Sequence, residues 1–573
     1  MRRLVAEAVV VGGGAAGTFA ALELHRRGVK PLILCKGLVG KSGASIFAGN
    51  LVVPGRLLGN TEQQARDTAE FLIRMHNHFL IDQHYARAAG EWIEREYYPE
   101  LERAGLYLRR DDRGVIVTND GPVRCMAAHS QGESGVLFMD LRRKQVLQAG
   151  IPWLEETAVT ALLTDAAGAI AGVVALDLAR GEAVAIAAPA VILATGYADR
   201  LYPRSTATRE MSADGIAMAW RAGAELMNLE IQWWHTSDVR FPLCWQRTQV
   251  YPNPIIGSSH SARLYNGDGE VFFDQEADAP AAMGPYTLQL KCLAKQVLAG
   301  KARFDGGYYS GFTHVAPAAV AAYTDYAKAF AALGKSTAAD TLETACSAHY
   351  RQGGIVVDPA TMATRVPGLY VAGGVGGHSN GLIAPVTYDG MLAAETVANG
   401  LPRLKPAAFP EDKAVAEAAR LHALRRPLPV NGVTPARVKQ TLRALMGEKM
   451  GFFKDVAGME AALVEVMRLR DELLPAMGLT NVTPRLNYAW LDAIDVANLL
   501  EVAALTIRGA LHRTESRGPF YRTDFPQTDN ARWLAKNILT PTADGDVRFR
   551  TEPYELPFFK PDFVRRESLE VAW

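Results

Sequence analysis

Cysteine is scarce. Five residues (Cys35, Cys125, Cys244, Cys292, Cys346) are scattered over 573, and no two stand as CxxC. That spacing supplies no ligand set for an iron–sulfur or zinc cluster, and it suits a reducing, cytoplasmic setting. An excess of charge is missing too. Lys+Arg and Asp+Glu number 61 each, so no general pull toward nucleic acid or an anionic membrane is expected. No uninterrupted apolar run approaches the ~20 residues of a membrane-crossing helix. The nearest, Ala183–Gly196, contains Pro189 and reads as one buried strand. The short apolar run behind Met1-Arg2-Arg3 ends in a glycine turn and reads as the first strand rather than a signal peptide. Internal repeats and low-complexity tracts are absent as well.

What is present starts with Ala8–Gly17, AVVVGGGAAG. Four apolar residues lead into Gly12-x-Gly14-x-x-Gly17, and a helical run follows. Gly12 allows a tight turn, Gly14 the close approach of a pyrophosphate, and Gly17 the packing of helix on sheet. A second strand at Pro31–Cys35 completes a βαβ unit. The loop Leu34–Asn50 is small and glycine-rich, ends in Ala48-Gly49-Asn50, and can bring backbone N–H groups against a flat ligand. Residues 61–105 read as helical. His76, His78 and His84 lie there; they could bind a metal, but a solvated helix face is the plainer reading, and no metal site is expected.

A later strand closes with Ala194-Thr195-Gly196, and Asp214-Gly215 opens a helix. Residues 229–344 are rich in aromatics and prolines, lack the βαβ rhythm, and read as an inserted domain. The α/β pattern returns over residues 345–400. A proline-containing linker follows at residues 401–413. Residues 414–540 are helical in pattern, and residues 541–573 read as an extended tail. The fold class is therefore α/β: a discontinuous Rossmann-like domain (residues 1–228 and 345–400), an α+β insert and a helical C-terminal domain.

With these residues the chain resembles the fumarate reductase / succinate dehydrogenase flavoprotein family, which includes L-aspartate oxidase and the alpha subunit of adenylylsulfate reductase. LCKGLVGKSGAS resembles the family's strand-Ser-Lys segment and flavin loop. Ser212–Thr236 is similar to its TGDG…RAGA…FHPT segment. His349-Tyr350…Gly353-Gly354-Ile355 matches HY…GGI, and Glu515–Leu534 matches the ESRG…R.D(Y/F)P…WL signature. Ala372-Gly373-Gly374 is a second flavoprotein-type turn. The resemblance implies FAD, a capping domain over the isoalloxazine at residues 229–344, and hydride transfer at flavin N5.

The departures shape the expectations. Covalent members attach FAD through a histidine of the flavin loop; Gly43 stands there, so non-covalent FAD is expected. Cys35-Lys36 replaces the usual acid after the second strand. His349 of the dicarboxylate clamp survives, but Gly373–Gly390 holds no arginine, and His378 or Gly381 falls at the family's arginine. The cap Thr-Glu pair aligns with Pro254-Ile255, and the cap arginine aligns near Leu290-Lys291. Each charge-assisted contact to a buried carboxylate is worth roughly 1.5–3 kcal/mol. Losing two costs about 3–6 kcal/mol, on the order of 10²–10⁴ in affinity. Succinate and fumarate are therefore not expected as substrates.

The resemblance directs the site residues. His349, His235 and His378 are the catalytic candidates. Trp234, Lys291 and Arg263 are candidates for substrate binding. The pair Trp233-Trp234 either packs the hinge or stacks on an aromatic or nucleotide substrate, and for Lys291, Arg263 and His260 taken singly a solvated surface is the plainer reading. For FAD the candidates are Gly12, Gly14, Ala15, Ala16, Gly17, Cys35, Lys36, Lys41, Ser42, Ala48, Gly49, Asn50, Ala194, Thr195, Gly196, Asp214 and Gly373. Gly374 replaces a glutamate that meets the ribityl chain. The resemblance implies an oxidoreductase of a small non-dicarboxylate substrate. Two alternatives stand beside it: an adenylylsulfate-reductase-like alpha subunit with a separate ferredoxin-like iron–sulfur subunit, and a non-catalytic flavin-binding scaffold.

Overall fold

The computed structural model describes the chain apart from residues 49–50, 53–60, 107–111, 113–124, 127–133, 242–261, 274–284, 304–306, 322–329, 379–380, 404–407, 543–544 and 562–573. At its centre lies a five-stranded parallel sheet in the order Leu369–Val371, Val191–Leu193, Ala8–Val11, Pro31–Leu34, Trp153–Leu154. The first four of these strands are buried throughout, which is why each reads as an unbroken apolar run. Helices Ala15–Arg26 and Ile383–Gly400 pack together closely: a Cβ on Gly390 would come 2.5 Å from the Ala16 carbonyl oxygen.

A second sheet joins Arg2–Val5, Glu182–Ala187, Ile170–Asp177 and Thr157–Thr164. Two single-strand readings are corrected here. The N-terminal run makes two strands, one in each sheet. Ala183–Gly196 also divides between the sheets, with Pro189 in the gap, where a residue without an N–H cannot continue the ladder.

The inserted region builds an antiparallel sheet in the order Gln232–Val239, Thr341–Arg351, Tyr308–Gly311, Arg263–Tyr265, Val271–Phe273. Its first two strands carry the chain out and back. Their register pairs Gln232 with Arg351 and His235 with Ser347. Helices Glu411–Leu424, Pro435–Lys449, Val456–Arg468 and Tyr488–His512 make up most of the C-terminal part. The hairpin Ala535–Pro541/Val547–Pro553 then joins Leu226–Met227 and Gly354–Ile355 in one sheet. The segment expected as an extended tail thus begins as a strand packed on the body.

The ESRG stretch is structural. Arg513, fully buried, donates to Glu230 at 2.6 Å, Glu515 at 2.9 Å and Asn228 at 2.9 Å, and Arg517 closes on Glu515 at 2.9 Å. His78 corrects the solvated-face reading: its ring is buried and stacks on Trp233 with centroids 5.5 Å apart. His84 is exposed against Phe558, and the His76 side chain lies outside the described residues. Among the described residues no helix is long and apolar enough to cross a membrane, and no three His, Cys, Asp or Glu gather as a metal site.

Candidate functional site

The ends of strands Ala8–Val11, Val191–Leu193 and Leu369–Val371 meet at one cavity of about 290 Å³. Gly12, Gly14, Ala15, Ala16, Ala194, Thr195, Gly196 and Gly373 line it there. Gly12 has φ +123°, and a Cβ on it would lie 2.2 Å from the Ala194 carbonyl oxygen. Gly17 sits one step behind, where a Cβ would meet the Gly12 oxygen at 2.1 Å. Cys35, Lys36, Ser42, Ala48 and Asp214 complete the wall at the side of the second strand. Gly49 and Asn50 lie outside the described residues.

The lining fits a dinucleotide. Helix Ala15–Arg26 opens on the cavity behind Gly14, with the Ser45 hydroxyl accepting the Ala15 N–H at 3.1 Å, and helix Ile383–Gly400 opens there behind Leu382, whose side chain brings no cap. Two such N-termini offer N–H donors to phosphate and carbonyl oxygens. The buried Thr195 hydroxyl has no hydrogen-bond partner in the protein, as expected where a ligand supplies it.

Lys36 anchors the side of the second strand. Its ammonium donates to Asp214 at 2.7 Å and to Ser212 and Asp495. Burial alone would lower its pKa; Asp214 and Asp495 outweigh that and raise it. Burial outweighs the Lys36 charge and pushes the Asp495 carboxyl above the usual carboxylate range. Burial likewise drives the Cys35 thiol up to about 11, so it is an inert wall group. Asp495 goes unseen in the sequence because no local pattern ties residue 495 to residue 36.

Lys41 is corrected. It turns outward, 45% exposed, and pairs with Asp140. The Ser42 hydroxyl turns back on the loop instead, donating to the Leu38 carbonyl at 2.8 Å and accepting its N–H at 3.0 Å.

At the far wall stand His349 and Tyr350. His349 Nδ1 lies 2.8 Å from the Thr206 hydroxyl, and burial brings its pKa down to about 4. His235 does not reach the cavity; its ring packs against His349, centroids 4.9 Å apart. Burial, with His349 adding to it, holds His235 well below the ordinary imidazole value.

His378 is corrected as a cavity residue. After Gly376-Gly377 its ring folds back into the core, 4% exposed, with Nε2 3.2 Å from Asp389. Trp234 is corrected too: it is buried against Tyr202 at 4.9 Å, which is the hinge-packing alternative. Trp233 stacks behind Tyr350 at 5.2 Å. Lys291 on helix Pro285–Leu298 and Arg263 on strand Arg263–Tyr265 do not line the cavity. His260, Pro254 and Ile255 lie outside the described residues.

Two tyrosines explain the departures. A Cβ on Gly374 would lie 2.4 Å from the Tyr197 ring, so Tyr197 takes the space of the missing glutamate. A Cβ on Gly381 would lie 2.9 Å from the Tyr350 ring. Among the described residues lining the cavity there is no arginine.

Known proteins match the chain along most of its length. The profile described as "FAD binding domain" matches residues 7–279, and that described as "Fumarate reductase flavoprotein C-term" matches residues 439–566. The chain is 26% identical over 590 residues to the Streptomyces coelicolor L-aspartate oxidase, covering 97% of this chain and 95% of that one. It is 26% identical over 586 residues to the succinate dehydrogenase flavoprotein of Coxiella burnetii, covering 95% of each. Among solved structures, Mycobacterium smegmatis Sdh1 in complex with UQ1 matches at TM-score 0.85 and 25% identity, covering 98% of this chain and 96% of that one. Together the two profiles and these relatives place this chain in the fumarate reductase / succinate dehydrogenase flavoprotein family of FAD-dependent oxidoreductases.

Proposed function

We propose that the protein transfers a hydride between FAD and a small organic substrate other than succinate or fumarate. When bound, FAD accepts or donates the hydride at N5. His349 is the group that binds the substrate or moves its proton, Thr206 orients its ring, and His235 supports it from behind. The observation that carries this reading is the lining itself. It holds one imidazole and no arginine among the described residues, and the Tyr350 ring fills the space a side chain at 381 would need.

The test is anaerobic. Photoreduced enzyme is offered candidate acceptors, and oxidised enzyme candidate donors, while flavin absorbance is followed. Reoxidation by a non-dicarboxylate is expected. Fumarate reduction at the rates of ordinary family members would refute the proposal. A flavin that no donor or acceptor changes would leave only the scaffold role.

FAD is held without a covalent bond in this reading. Gly43 lines the cavity with φ +83° and offers no nucleophile. Acid precipitation should release all the flavin into the supernatant; yellow colour that stays in the pellet would overturn this.

A separate iron–sulfur subunit is the second reading. It is supported by relatives named as flavoprotein subunits; a one-electron carrier would then sit on another chain. Slow reoxidation of photoreduced enzyme in air, accelerated by added ferredoxin, would support it; rapid reoxidation by oxygen alone would count against it.

A further inference from the structure

Asp389 stands on helix Ile383–Gly400 and is fully buried. Its carboxylate has three neighbours. The Gly373 backbone N–H donates to Oδ2 at 3.0 Å. The Tyr85 hydroxyl donates to Oδ1 at 2.6 Å. His378 Nε2 lies 3.2 Å from that same oxygen, its ring edge-on to Tyr85 with centroids 5.1 Å apart. Burial, with the Asp389 charge beside it, raises the Tyr85 hydroxyl well above its ordinary value, so Tyr85 remains a donor.

Gly373 connects this cluster to the cavity. It lines the wall and adopts φ +72°. A buried carboxylate is tolerated where donors satisfy it; here one donor is the backbone group that shapes the cofactor wall. Tyr85 is braced in turn. It lies near the start of helix Gln83–Trp92, where the Gln83 side chain donates to the Phe559 carbonyl at 2.7 Å and accepts the Phe558 and Phe559 N–H groups at 3.0 Å.

We infer that Asp389 is a positioning residue for the cofactor: braced by the Tyr85 hydroxyl, it fixes the Gly373 turn against FAD. The role is independent of the substrate. It predicts that Asp389→Asn, which can no longer accept from both donors, binds FAD about tenfold more weakly or worse, and that Tyr85→Phe, which removes one donor, weakens it about threefold. Flavin released on dilution of each holoenzyme gives the affinity, and the flavin absorption bands give a second readout, expected to shift in Asp389→Asn.

Affinities within twofold of the parent and unchanged bands in both variants would overturn the inference, whatever their melting temperatures, because packing alone would then be the role. If Asp389→Asn does not fold, Tyr85→Phe decides by the same two readouts. The inference rests on the unattached cofactor proposed above. Attached FAD would show itself differently, by failing to leave even the denatured parent protein.

Discussion

Replacing Arg513 by alanine is expected to destabilise the protein by about 3–5 kcal/mol, the usual cost of breaking a buried ion pair from one side. The Arg513 side chain is 0% exposed, as are those of Glu230 and Glu515 beside it. Beyond the two carboxylates and Asn228, it donates to the Trp533 carbonyl at 3.1 Å and the Ala535 carbonyl at 3.3 Å. One guanidinium thus ties three separate stretches of chain: residues 228–230, 513–517 and 533–535. Its removal takes the cation from the buried Glu230 carboxylate, to which Asn537 still donates at 3.1 Å, while Glu515 keeps Arg517 at 2.9 Å. Urea denaturation of the holoprotein measures the loss, and a change below about 1 kcal/mol would show that the network is dispensable. Arg513→Lys keeps the charge without the fork and should fall between the two. Arg468→Ala is the control. Its pairs with Glu465 and Glu472 lie on the surface, and no measurable change is expected.

His349→Asn is expected to lower turnover about 10²–10⁴-fold, the typical range for losing a positioned acid–base group. FAD content should be unchanged. Asparagine keeps a polar group of similar reach toward Thr206 but cannot take up a proton. Turnover within fivefold of the parent, with any substrate found in the screen, would remove His349 from the chemistry. Because burial holds this imidazole at about 4, turnover should run level from about pH 5.5 to 8, without a limb near 6.5. Stability carries the same signature. The unfolded imidazole, near 6.5, binds a proton that the folded one refuses down to about 4. Stability is therefore full above pH 6.5 and declines as the pH falls toward 4, with His235 adding in the same direction.

The parts of the site that read from the sequence are those written locally. Gly12, Gly14 and Gly17 declare themselves because a turn, a close approach and a helix contact all lie within six residues. His349 stands out through its neighbours in HY…GGI. What stays hidden depends on distant pairing or on the direction of a single side chain. Asp495 reaches Lys36, and Asp389 reaches Tyr85, only after sheets and helices have packed. Lys41 and Ser42 are adjacent in a loop, and composition does not say which one turns inward. His378 lies in a glycine-rich turn, and the fold of that turn sends its ring to Asp389 rather than to the cavity. Tyr197 and Tyr350 are visible in the sequence, but that they fill the spaces above Gly374 and Gly381 emerges only in three dimensions.

The contact between Lys36 and Asp495 spans 459 positions. During synthesis the βαβ unit leaves the ribosome long before the residue that completes its ammonium's surroundings. Lys36 therefore gains its third partner only once helix Tyr488–His512 has packed against the first half of the chain. A chain shortened before residue 495 would lack that partner even with its βαβ unit whole.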